Sequence, residues 1–129
     1  NEDFSRKGIN DHNKKVVNLA KLLLDHNVPV CVSKINPFVE NREDARKILK
    51  NYNFIQVYVK CSLDSCEKRD VRGMYKKARI NEINNFIGIH VDYEPPINPE
   101  LVVDTEKSPI DNSVQIILDY LNENKMIKI

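Results

Sequence analysis

With 129 residues, the chain can bury one modest core, and we expect a single domain over residues 1–129. Twenty basic and 19 acidic residues leave a formal net charge of +1. That balance excludes a general nucleic-acid binder, which needs a marked basic excess, and confines any anion site to a local cluster. No apolar run reaches the length of a membrane span, and the opening NEDFSRKG lacks signal-peptide form. The three cysteines, Cys31, Cys61 and Cys66, read as reduced core thiols, which places the chain in the cytoplasm or another reducing compartment. The spacing of Cys61 and Cys66 fits no zinc pattern.

Taken in order, Val16, Val17, Leu19, Ala20, Leu22, Leu23 and Leu24 fall at helical spacing, and the helix stops at Asp25-His26-Asn27. Val28 to Val32 is a short apolar run of strand character. A second helix is expected from about Val39 to Lys50, with Ala45, Ile48 and Leu49 as its apolar stripe and Glu43–Lys47 as an i,i+4 pair. Phe54 to Val59 reads as a strand rich in β-branched and aromatic residues. Leu63 to Arg69 reads as a short helix capped by Ser62. Leu101 to Asp104 is a third strand, and a last helix runs from about Ile110 to Leu121 with Val114, Ile117, Leu118 and Leu121 facing inward.

Apolar strands alternating with helices imply an α/β fold with a parallel sheet. Ligands of such sheets bind at the carboxyl ends of the strands. That rule picks out Ser33 to Pro37, Cys61-Ser62 and Thr105-Glu106. Between the second and third strands lies a flap, about residues 70–96. It crowds Arg72, Lys76, Lys77 and Arg79 together, continues through an Asn-rich stretch with the isolated Phe86, and closes on Tyr93-Glu94-Pro95-Pro96. So many clustered cations do not belong in a core; the flap has the charge to meet phosphates or sulfates.

Several stretches resemble the adenylyl-sulfate kinases, P-loop kinases that phosphorylate adenosine 5′-phosphosulfate (APS) on its 3′-hydroxyl. The family's V-S-F-I-S-P-Y-R reads here Val32-Ser33-Lys34-Ile35-Asn36-Pro37-Phe38-Val39. Its C-E-x-R-D-x-K-G-L-Y-K-K-A-R corresponds to Cys66 through Arg79, and its E-I-x-x-F-T-G-I-D to Glu82 through His90. Its Y-E-x-P-x-x-P-E-L-V-x-x-T corresponds to Tyr93 through Thr105.

The resemblance implies a three-layer α/β/α P-loop-kinase fold and the transfer of the ATP γ-phosphoryl to APS, giving 3′-phosphoadenosine 5′-phosphosulfate (PAPS) and ADP. It implies ATP with Mg²⁺, and a homodimer or part of a larger chain, with no nucleic-acid or membrane partner. Lys76, Lys77 and Arg72 would act from the flap, now a lid. Phe86 and Phe4 would sandwich the adenine of APS, and the backbone of Ile35 and Asn36 would line its pocket. Arg69 and the loop around Thr105 would flank the adenine of ATP, with Arg72 on the ATP side. No catalytic residue and no metal ligand is assigned in this segment.

The chain departs from the family pattern in two ways. The family's D-R-x-x-N-I-R-R aligns with Ile9 and His12 where Arg and Asn are expected, although a one-residue shift restores Asn13. Lys34 replaces a Phe and Val39 an Arg, and neither Ile nor Val can make arginine's bidentate contact to phosphate or sulfate. His90 stands where the family has Asp. There is also no G-x-x-x-x-G-K-[ST] in this sequence, whose glycines are Gly8, Gly73 and Gly88. The family's first two strands and phosphate loop are therefore expected upstream, and the kinase strand order 2-3-1-4-5 would put the absent first strand between those near Val30 and Val57. The phosphate-cradling chemistry would belong to that upstream part. Two other readings remain open: a degenerate, non-catalytic kinase-like subunit with a structural or partner-binding role, and a nucleotide kinase with a different acceptor.

Overall fold

The computed structural model describes residues Ser5–Met126. They fall into two compact units, one of residues up to 54 together with 72–97, the other of 55–71 and those from 98 on.

In the first unit, helix α1 (Arg6–Asp25) is started by Ser5, whose Oγ accepts from Gly8 N at 3.1 Å. It ends where the sequence indicated. Asn27 adopts φ 59°, and the bonds Asn27 N→Leu24 O and Val28 N→Leu23 O, both 3.0 Å, close a Schellman motif. The buried face of α1 carries Ile9, Asn13 and Ala20, and it packs on α2 (Val39–Ile48). Leu19, Leu22 and Leu23, expected in the apolar stripe, are exposed. In α2 the buried residues are Asn41, Arg42 and Ala45, with Leu49 just beyond; Ile48 is exposed. Lys47 pairs with Asp44 at 3.5 Å rather than with Glu43, an exposed contact of little consequence.

The expected strand over Val28–Val32 is absent. An extended segment becomes a strand only when a neighbour completes its hydrogen bonds, and the sheet formed by the described residues has two strands, both in the second unit. Val28, Cys31 and Val32 are exposed, so Cys31 is not a core thiol; Cys61 and Cys66 are half-buried, and none of the three is in a disulfide.

The flap folds more than its charge suggested. Met74–Arg79 forms helix α4, entered through Gly73 at φ 65°. The space around Gly73 is open, so it is the backbone, not crowding, that requires glycine there. Ala78 is fully buried, while Arg72, Lys76, Lys77 and Arg79 are exposed. Asn81, at φ 58°, ends α4 with a second Schellman pair, Asn81 N→Ala78 O and Glu82 N→Lys77 O, both 3.0 Å.

In the second unit, β1 (Val57–Lys60) and β2 (Leu101–Asp104) pair in parallel, Val57 opposite Leu101 through Lys60 opposite Asp104. β1 is shorter than the expected Phe54–Val59. Between them in sequence, α3 (Leu63–Arg69) takes the predicted Ser62 cap, with Ser65 N donating to Ser62 Oγ at 3.3 Å. Helix α5 (Ile110–Glu123) packs on β2, where Val103 is buried. Ile117, Leu118 and Leu121 are half-buried, but Val114 is exposed. No helix among the described residues is long and apolar enough to cross a membrane.

Candidate functional site

The loop Asn36–Val39 is anchored by buried and half-buried polar groups rather than by a ladder. Pro37 is fully buried, and its carbonyl accepts from Glu94 N at 2.8 Å. The Glu94 carboxylate in turn accepts from Val39 N at 2.6 Å, satisfying a first-turn donor of α2 that has no cap of its own. Arg42, 7% exposed, reaches back from α2. Its Nη1 donates to the carbonyl of Asn36 and its Nη2 to that of Glu94, and its guanidinium lies 5.6 Å from the Tyr93 ring centre. The rigid Tyr93-Glu94-Pro95-Pro96 segment thus holds the loop.

Asn36 is half-buried and bonded on its side chain too: Asn13 Nδ2 donates to Asn36 Oδ1 at 3.0 Å, and Lys34 Nζ donates to Asn13 Oδ1. Asn13, 4% exposed, therefore takes the inward position on α1, whereas His12 is exposed. Ile9 is also buried, one turn before Asn13. Ile35, between Lys34 and Asn36, is 63% exposed. Asn13 is the residue that the one-residue shift of the family motif offered in place of His12, whereas Arg42 and Glu94 were not among the expected site residues. Arg42 carried a signal, since it lies at i−3 and i−7 from Ala45 and Leu49, on the apolar stripe itself.

Farther along the same unit, Phe86 sits at a tight turn after Asn85, which has φ 57°. Tyr75 of α4 meets the Phe86 ring edge-on, centroids 4.9 Å apart, so helix and aromatic are held together. Phe86 N donates to His90 Nδ1 at 3.2 Å. Lys76 and Lys77 lie on α4, and Arg72 lies just before it. Phe4 lies outside the described residues.

The second unit joins the two expected strand ends. Thr105 N and Thr105 Oγ1 both donate to the carbonyl of Lys60, at 3.0 and 3.1 Å. Arg69 then grips Thr105: Nη1 donates to Oγ1 at 3.0 Å, Nη2 to the backbone carbonyl at 2.7 Å, and Nη1 lies 3.6 Å from Cys61 Sγ. Next to them the Glu106 carboxylate accepts from Ser62 N (3.0 Å), Ser62 Oγ (2.8 Å) and Ser65 Oγ. These bonds, those from the two serine hydroxyls foremost, with a smaller contribution from the Arg69 charge, lower its pKa from 4.5 to about 2. Among the described residues no group of three or more His, Cys, Asp or Glu side chains is arranged to hold a metal ion.

The expected residues thus form local clusters: Asn36 with Asn13, Lys34 and Arg42; Phe86 with Tyr75; Arg69 with Thr105. The adenylylsulphate kinase family model matches residues 1–104. The adenylyl-sulfate kinase of Oceanobacillus iheyensis is 43% identical over 127 residues, and that of Staphylococcus epidermidis 42%. Each alignment takes in 98% of this chain, and the chain spans 64% of the length of either relative. Among solved structures, the Mycobacterium tuberculosis APS kinase CysC in complex with AMPPNP and APS superposes with a TM-score of 0.88 at 34% identity, over 93% of this chain and 70% of that one. The crystal structure of APE1195 superposes with a TM-score of 0.86 at 36% identity, over 95% of this chain and 69% of that one. The α/β fold with its parallel ladder is thus that of an APS kinase, and the chain belongs to the adenylyl-sulfate kinase family of P-loop kinases.

Proposed function

We propose that this chain supplies the acceptor pocket, lid and ATP-adenine clamp of an adenylyl-sulfate kinase. The observation that carries the reading is its 43% identity to such a kinase over 127 residues, 98% of its length. In the reaction the 3′-hydroxyl oxygen of APS attacks the γ-phosphorus of ATP. The bond to the bridging oxygen of ADP breaks, the hydroxyl proton is released, and PAPS is formed.

Catalysis of this kind is chiefly positioning and charge neutralisation. The backbone of Ile35 and Asn36 lines the acceptor pocket on a loop that Arg42 and Glu94 hold in place. Phe86, steadied by Tyr75, stacks on the APS adenine, with Phe4 as its partner across the base. Lys76 and Lys77 bring positive charge from the lid over about residues 70–96, and Arg72 serves the ATP side. Arg69 and Thr105, locked together at the strand ends, flank the ATP adenine. Mg²⁺ with the ATP would supply charge neutralisation at the phosphates, and among the described residues no cluster of His, Cys, Asp or Glu is arranged to hold it. The setting we assign is the cytoplasm or another reducing compartment, on the odd count of three cysteines. The assembly is a homodimer or part of a larger chain.

A second reading, a kinase with another acceptor, draws on Ile9 and Val39. Ile9 is buried and apolar, so α1 offers no guanidinium there. Incubating the full-length gene product with Mg-ATP and APS, and following ADP and PAPS, tests both. APS-dependent ADP release is expected. Correctly folded protein that forms no ADP with APS would refute the proposal, and ADP release with another adenosine nucleotide would establish the second reading.

A further inference from the structure

The acceptor-side loop carries one cation that the reading above does not use. Lys34 Nζ donates to Oδ1 of Asn13, whose amide is fixed at its other end by Asn36 Oδ1 at 3.0 Å. Lys34 makes no ion pair among the described residues, whereas Lys7, Lys21 and Lys47 of the same unit pair with Asp11, Asp25 and Asp44. Lys34 is exposed as a residue, but the partial desolvation of its ammonium pushes the pKa below its usual value, with no neighbouring charge opposing the shift. A partly desolvated ammonium met by a neutral amide retains its full charge, and an anion would relieve it.

The position suits an anionic ligand. Lys34 adjoins Ile35 and Asn36, whose backbone lines the proposed acceptor pocket, and the nearby Ile9 and Val39 carry no charge. Arg42 is near too, but its terminal nitrogens are committed to the carbonyls of Asn36 and Glu94. Resting on the acceptor reading given above, we propose that Lys34, aimed by Asn13, binds the phosphosulfate group of the acceptor nucleotide and makes the pocket selective for acceptors with an anionic 5′-group.

Calorimetric titration of the full-length protein with APS, and separately with AMPPNP, tests this. Lys34→Met is expected to weaken APS binding about tenfold or more, the loss of one charge-assisted hydrogen bond, and to leave AMPPNP binding within about twofold. Lys34→Arg keeps the charge and retains most APS affinity. Lys34→Gln can still donate to Asn13 but is neutral, so it should behave like Lys34→Met. APS binding by Lys34→Gln at wild-type strength would overturn the inference, as would an equal loss for both ligands, the mark of a merely structural lysine. If the wild type binds APS and no Lys34 variant changes it, this inference fails and the acceptor reading stands. Folded wild type that binds AMPPNP but not APS defeats both.

Discussion

Replacing Arg42 by Met should reveal how strongly the acceptor loop depends on one buried guanidinium. Arg42 is 7% exposed and donates to two backbone carbonyls, those of Asn36 and Glu94. A hydrogen bond from a charged donor contributes about 1.5–3 kcal/mol. Both carbonyl-bearing residues are half-buried, so water can restore part of the loss and the lower end applies to each. Methionine keeps much of the packing of the arginine stem. The expected cost is therefore about 3 kcal/mol, a large share of the roughly 5–15 kcal/mol that holds a domain together. It should appear as a fall in Tm on the order of 10 °C. Urea unfolding of the full-length protein followed by circular dichroism measures it. Lys47→Met is the comparison, since its exposed partner Asp44 makes a loss beyond about 0.5 kcal/mol unexpected. Arg42→Lys keeps the charge but cannot span both carbonyls, and should fall between the two. A loss below about 1 kcal/mol in Arg42→Met would show that the loop is held by something else.

Glu106→Gln should matter most above pH 4.5. Its folded-state pKa is lowered to about 2, so its stabilisation is full above 4.5 and is lost as pH falls toward 2; melts at pH 7, 4 and 2.5 should show the wild-type advantage shrinking in that order. Phe86→Leu should raise the KM for APS about tenfold, as loss of about 1–3 kcal/mol of base stacking would, with the KM for ATP unchanged in steady-state kinetics. Arg69→Ala should do the converse, raising the KM for ATP several-fold and sparing that for APS, since it removes the two bonds that fix Thr105, the proposed neighbour of the ATP adenine. Gly73→Ala should cost about 1 kcal/mol in thermal melts, because φ 65° is disfavoured for any Cβ even where space is open.

Much of the architecture was legible because it is local. The stop of α1 at Asn27, the Ser62 cap and the β2 span depend on neighbours in sequence, and the structure follows them. Val28–Val32 failed for the opposite reason: its β-branched pattern is real, but a strand is a property of a pair, and the described residues supply no partner. Leu19, Leu22 and Val114 share that logic, since periodicity marks a face as apolar without saying what covers it. The flap's charge was read correctly as exposed, yet α4 escaped notice because its buried side amounts to little more than Ala78. Motif positions such as Arg69 and Thr105 proved to touch. Arg42 was missed because a polar residue on an apolar stripe was passed over, though its spacing placed it inside; Asn13 was reached only through a one-residue shift of the family motif.

The partners chosen by these cations explain why charge can be concentrated here in a nearly neutral chain. On the outer surface of α1 and α2, Arg6 pairs with Glu40, Lys7 with Asp11, Lys21 with Asp25 and Lys47 with Asp44, so each positive charge is largely cancelled where it stands. The cations held in the site clusters are treated differently. Arg42 is fixed by two carbonyls, Arg69 by the hydroxyl and carbonyl of Thr105, and Lys34 by the amide of Asn13. Neutral acceptors fix a cation's position without neutralising it, so the field of Lys34 remains available to a phosphate or sulfate, whereas that of Arg69 is shared with the neighbouring Glu106 carboxylate. A carboxylate in place of the Asn13 amide would give Lys34 a stronger bond and leave a weaker anion site. That choice of partners, more than net charge or the exposed lysines of α4, distinguishes a position prepared for an anion from an ordinary basic surface.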